Sequence, residues 1–124
     1  MWRILITLLL FSLISGCVGS PVHETLTYSS LQSKIKSNNQ ALLKLRIGMQ
    51  QSEVRNVMNE PERSEGYAWG SAWLYRTAMT SGIYGTADTD FTPVMFNQEG
   101  ELIGWGRNFF ESEVKRYELS IRNK

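Results

Sequence analysis

LLKLRIGMQQSEVRNVMNEP, residues Leu42–Pro61, is the stretch that decides the fold. It reads as the end of one helix, a turn at Gly48, a second short helix and a stop at Pro61. Glycine just past a helix takes a left-handed backbone at no steric cost. In the second helix Val54, Val57 and Met58 recur at i, i+3 and i+4 and make one apolar stripe, with Glu53 in the first turn where a carboxylate favours the helix dipole. Asn59 tolerates a left-handed cap and Pro61 forbids continuation. The spacing predicts a helix over 51–58, too short to stand alone, so its stripe needs an apolar sheet to cover.

Upstream, Leu31, Ile35, Leu42, Leu45 and Ile47 carry a helical period, and the pattern predicts a helix over 31–46, with Asn38-Asn39 as a point of interruption. Downstream, Tyr67, Trp69, Trp73, Tyr75 and Thr77 share one parity, the period of a strand, and predict one over 67–77. Residues 79–91 (MTSGIYGTADTDF), with Gly82 and Gly85, read as a long loop. Thr92–Asn97 and Glu101–Asn108 flank the turn Gln98-Glu99-Gly100 as a hairpin. Residues 109–124 fit a helix through Phe110, Val114, Tyr117 and Ile121, or a strand through Tyr117, Leu119 and Ile121; the acidic start and basic end favour the helix. The expected class is α+β: two N-terminal helices packed on a three-stranded antiparallel sheet, with a C-terminal helix or strand.

The N-terminus reads as an address. Arg3 precedes an 11-residue run, Ile4–Ile14, that is apolar but for Thr7 and Ser12 and is far short of the roughly 20 residues a spanning helix needs. It ends in Leu13-Ile14-Ser15-Gly16-Cys17, which resembles the bacterial lipobox. That resemblance implies a signal peptide over 1–16, lipid on Cys17, a tether over 17–29 and a single domain over 30–124. Cys17 is the only cysteine in the chain, so an oxidising compartment offers it no partner within the chain, and acylation gives it a use. Val18-Gly19-Ser20 lacks the aspartate of an inner-membrane retention signal, which points to the periplasmic face of the outer membrane. Of 13 basic and 12 acidic residues the signal carries one basic residue, leaving 12 of each, so no long-range pull on nucleic acid is expected.

With these pieces placed, the chain resembles the SmpA/OmlA (BamE-like) lipoprotein superfamily, and within it a branch of uncharacterised small lipoproteins. The residues are Leu43-Lys44-Leu45-Arg46-Ile47-Gly48 with Val54, Pro61 to Glu65, Leu74-Tyr75-Arg76-Thr77, Thr92-Pro93-Val94-Met95-Phe96 and Leu102-Ile103-Gly104-Trp105-Gly106, about 40–108 in all. Asn59 stands where the pattern prefers glycine. The resemblance implies a two-helix, three-strand fold on the outer membrane. Its best-known relatives are an accessory subunit of the β-barrel assembly machine, and the fold is shared with periplasmic inhibitor proteins.

The sequence holds no catalytic set. His23, the single histidine, lies in the tether, which excludes most Ser-His and Cys-His schemes. No spacing suits a metal, no cofactor motif is present, and Asp88-Thr89-Asp90 reads as a solvated acidic loop. The expectation is a non-enzymatic, membrane-anchored envelope protein that binds an envelope protein partner, with an enzyme-inhibitor-like binding protein as the alternative. Most of the aromatic residues are expected to form core. The residues expected at a partner contact are Ile83 and Tyr84 in the loop, flanked by Arg76 and Arg107, since tyrosine and arginine are enriched where binding energy concentrates.

Overall fold

The computed structural model describes residues 27–124. The signal peptide, Cys17, His23 and the first ten residues of the tether lie outside the described residues. The chain order is α1 (Tyr28–Leu42), α2 (Gln51–Met58), β1 (Arg63–Tyr67), β2 (Gly70–Arg76), a single 3-10 turn at Asp88–Asp90, β3 (Phe91–Asn97), β4 (Leu102–Trp105) and α3 (Arg107–Arg122). The four strands form one antiparallel sheet in the order β1-β2-β3-β4. The class is α+β, with three helices and four strands where three strands were expected.

The extra strand comes from one misread turn. Residues 67–77 are not one strand: Tyr67 pairs with Gly70 across a two-residue turn, Ala68-Trp69, and β1 runs back along β2. Gly70 makes this possible. Its φ is +153°, and a Cβ there would sit 1.9 Å from the Phe96 carbonyl oxygen. The shared parity of Tyr67 and Trp73 therefore does not place them on one face. In β2 the alternation is lost altogether, because Ala72 to Arg76 are all buried, as expected of a strand covered on both sides.

One face carries the main core. Trp73, Tyr75, Val94, Phe96 and Leu102 meet Ala41 and Leu45, and Val54 and Met58 of α2. This is the covering role that the stripe of Val54, Val57 and Met58 predicts. Arg55 lays its guanidinium 4.7 Å from the Trp73 ring. The opposite face is covered by α3, which the residues favoured over a strand. The position of a Cβ on Gly104 would lie 2.4 Å from the Phe109 ring, so the helix sits tight on β4. Phe110 meets Tyr67 edge-on at 5.8 Å.

α1 starts earlier and stops earlier than its periodicity suggests. Thr27 and Ser30 form a reciprocal capping box, so the last two residues of the expected tether, Tyr28 and Ser29, are helical. The helix ends at Leu42, and Leu43 (86% exposed) and Ile47 (65% exposed) face solvent while Leu45 turns inward. Asn38 and Asn39 do not interrupt it. Asn38 is buried and donates to the Arg76 carbonyl at 2.8 Å, and Asn39 donates to the Thr77 carbonyl at 2.9 Å. The β1–β2 pairing explains the need: it ends with Arg63 opposite Leu74, and the Glu62 N–H also goes to the Leu74 carbonyl, so β1 stops short of Arg76. A helix side chain supplies the hydrogen bond at a position that β1 does not reach.

Gly48 (φ +89°) and Asn59 (φ +63°) hold the left-handed conformations read from the sequence. Between them Glu53 accepts from the Gln50 N–H at 2.8 Å and fixes the start of α2. Gly48 donates to the Leu102 carbonyl at 2.8 Å and Leu102 donates to the Met49 carbonyl at 2.7 Å, so this segment lies along the outer edge of β4.

Candidate docking loop

β2 and β3 are joined by residues 77–90, a long connection with no strand of its own. Such a loop is either functional or poorly ordered. This one is held from inside by Asp90. The Asp90 carboxylate is fully buried. One oxygen accepts from the Thr80 backbone N–H and hydroxyl, the other from the Ser81 backbone N–H, at 3.1 Å, and hydroxyl. The Ser81 and Thr80 donors hold its carboxyl well below the usual carboxylate range, against the effect of burial. Its carbonyl accepts from the Thr77 and Ala78 N–H groups at 2.9 and 3.1 Å. The acidic loop read as solvated is therefore half wrong: Asp88 is exposed, Asp90 is the internal staple. No local spacing announces this, because Thr80 and Ser81 lie ten and nine residues earlier.

Three arginines brace the same loop. Arg76 is buried, 6% exposed, and does not reach the surface where the sequence reading put it. Its guanidinium lies 4.6 Å from the Phe91 ring, pairs with Glu62 at 3.3 Å and stands 3.7 Å from Asp90. Its Nη1 is buried with no hydrogen-bond partner among the described residues. Glu62 also takes Lys34 at 2.9 Å. Burial pushes the Glu62 carboxyl up, but Lys34 and Arg76 outweigh it and the group ends below its ordinary value. Arg63 covers Phe91 from 4.9 Å and pairs with Asp88 at 3.1 Å. Arg107 donates to the Asp88 carbonyl at 2.8 Å and lies 5.5 Å from the Phe110 ring. Arg76 and Arg107 thus hold the loop rather than flank a patch.

What the loop presents is its tip. Gly82 (φ +86°) and Gly85 shape the turn, with Gly85 donating to the Gly82 carbonyl at 3.1 Å. A Cβ on Gly85 would lie 1.9 Å from the Ser81 hydroxyl oxygen, so only glycine fits. Tyr84 is 79% exposed and Ile83 partly exposed. Residues 77–87 contain no charged side chain. The arrangement offers an exposed aromatic ring on a neutral tip whose stem is held at Thr80 and Ser81. Among the described residues no group of three or more His, Cys, Asp or Glu could hold a metal, and no helix is long and apolar enough to cross a membrane.

A family model described as "Protein of unknown function (DUF3192)" matches residues 15–112, from just before Cys17 into α3. The chain belongs to the DUF3192 family. A family without assigned function agrees with the uncharacterised branch that the motifs over 40–108 resemble. No protein of curated function matches the chain. A solved structure described as that of an osmotically inducible lipoprotein, OsmE, is 26% identical and covers 72% of this chain and 90% of its own, with a TM-score of 0.43. At that TM-score the two backbones coincide too loosely for residues to be carried from one to the other.

Proposed function

We propose that this DUF3192 protein is a lipid-anchored envelope protein that acts as a non-catalytic protein-binding module and meets its partner through the Ile83-Tyr84 tip. The observation that carries the reading is the Asp90 staple. Burying a carboxylate is costly unless every oxygen is bonded, and here it is spent on ordering a surface loop. A loop fixed before binding loses less freedom on association, and tyrosine supplies contact area with few rotors. Anchoring is supported by the run Ile4–Ile14 followed by Ser15-Gly16-Cys17, with Cys17 inside the family match. Residues 18–20 favour the outer membrane. The inhibitor-like alternative asks for an acidic residue offered at the loop tip. Asp90 is buried and Asp88 is engaged by Arg63, which favours the accessory role.

The experiment is site-specific photocrosslinking in intact cells. A photoreactive residue at Tyr84 should give a discrete adduct with an envelope protein, and one at Ser37, exposed on α1, should not. Tyr84→Ala should abolish capture from a photoreactive residue at Ile83 without changing the melting temperature. Equal adducts from the Tyr84 and Ser37 positions would refute the loop as the docking element. Cys17→Ser should leave an unlipidated, full-length precursor; a normally processed soluble product would refute the anchor.

A further inference from the structure

On the α3 side of the sheet, the turn Ala68-Trp69 holds a side chain the turn does not need. Two-residue hairpin turns favour glycine, asparagine and aspartate, and a tryptophan adds nothing to the turn itself. Trp69 is braced from behind. Tyr67 stacks on it at 4.9 Å with an interplanar angle of 8°. Tyr67 in turn donates its hydroxyl to Glu65 at 2.6 Å and takes the Phe110 edge. Gln98 donates to the Ala68 carbonyl and pins the turn. The indole is therefore a fixed wall.

Facing it, one side of α3 brings up the half-buried Glu113 and Tyr117 and the exposed Arg116 and Ser120, and the cleft between measures about 200 Å³. At ~30 Å³ of liquid volume per water that is room for about seven waters, the scale of one substituted ring. The polar atoms on the walls have capacity to spare. Among the described residues the Trp69 indole N–H and the Tyr117 hydroxyl make no hydrogen bond. Arg116 pairs with Glu113 through one nitrogen only, so further guanidinium donors remain.

We infer that this cleft binds a pyranose ring of a glycan chain. A pyranose has an apolar C–H face, which suits an aromatic wall, and a rim of hydroxyls that both donate and accept. The cleft offers two aromatic rings with polar handles together with a carboxylate, a guanidinium and a hydroxyl. A cationic ligand would meet Arg116, which is 77% exposed at the mouth. A purely apolar ligand would desolvate Glu113 and Arg116 without replacing their water. A proline-rich peptide needs an extended series of aromatic ridges, and this cleft takes a single ring. The inference does not depend on loop docking, because Ile83 and Tyr84 take no part in the cleft.

The test is titration of the full chain in a sugar-free detergent, followed by the nitrogen-15 signals of the tryptophan indole N–H groups. Chitotetraose and maltotetraose are the probes, the first with acetamido groups and the second without, and a proline-rich decapeptide is the control. One indole signal, absent from Trp69→Phe, should shift saturably with at least one sugar at millimolar concentration or below. By this signal Arg116→Ala should weaken binding about tenfold and Tyr84→Ala should leave it unchanged; Trp69→Ala, which lacks the signal, should weaken binding about tenfold by calorimetry. Arg116 is exposed, so its variant keeps the fold if Trp69→Ala does not. No shift with either sugar, a shift in Arg116→Ala that saturates at the same concentration as in the parent, or saturation by the peptide instead would overturn the inference.

Discussion

Asn38 and Asn39 sit side by side in α1, both donate to backbone carbonyls at the end of β2, and should respond in opposite directions to the same substitution. Asparagine is a poorer helix former than alanine by up to ~0.7 kcal/mol, so on propensity alone either Asn→Ala change stabilises. The tertiary terms differ. Asn38 is 6% exposed and gives the Arg76 carbonyl a hydrogen bond at a position that β1 does not reach. Removing it strands a buried acceptor at about 1–3 kcal/mol, so the loss outweighs the gain. The net is about 1–2 kcal/mol of destabilisation, a fall of roughly 5–15 °C in Tm for a domain of this size. Asn39 is exposed, and its contact with the Thr77 carbonyl is one that water replaces. Asn39→Ala should leave Tm unchanged or raise it by up to about 5 °C. Asn38→Asp, which puts an acceptor against an acceptor, should fall below Asn38→Ala. Thermal unfolding by circular dichroism measures all three. If Asn38→Ala melts at or above the parent, or if Asn39→Ala falls as far as Asn38→Ala, the view of α1 as the missing strand partner is wrong.

Two further outcomes bear on other parts of the molecule. Gly104→Ala should cost about 1–3 kcal/mol by pushing the Phe109 ring off β4, and Phe109→Leu should recover much of that in the double variant; a simple sum of the two losses in urea unfolding would show that they do not share one contact. Glu62 has its carboxyl lowered from 4.5, so its contribution is complete above about pH 4.5 and is lost as pH falls through the lower folded value. Stability below pH 4.5 should therefore fall less steeply in Glu62→Gln than in the parent, and parallel acid limbs would contradict the Lys34–Glu62–Arg76 linkage.

How far the fold is legible depends on whether a residue's role is local. Gly48, Asn59 and Pro61 act through their own backbone, and the turn and cap they predict are present. Val54 and Met58 act through a helical period, and they cover the sheet. Asn38 and Asn39 misled because their local tendency, to break a helix, is overridden by carbonyls 38 residues away in sequence. Residues 67–77 misled because both faces of β2 are buried, which erases alternation and leaves only Gly70 to mark the reversal. The candidate site divides the same way. Ile83 and Tyr84 are exposed where a glycine-rich loop suggests, while Arg76 is turned inward by Glu62, Phe91 and Asp90, none of them a sequence neighbour. The Asp90 staple joins residues that no motif links.

The pairing of Gly48 and Met49 with Leu102 has a consequence for association. A sheet grows without limit only when each copy offers one edge that gives and another that receives. Here the chain occupies the start of its own β4 margin, at Leu102, and the β1 margin is five residues long and carries Arg63 and Glu65. Two copies joined through β1 would close as a pair, and a third would find only the short β4 margin beyond Leu102. Side-by-side copies thus meet charged or partly covered margins, which work against extension into a long sheet.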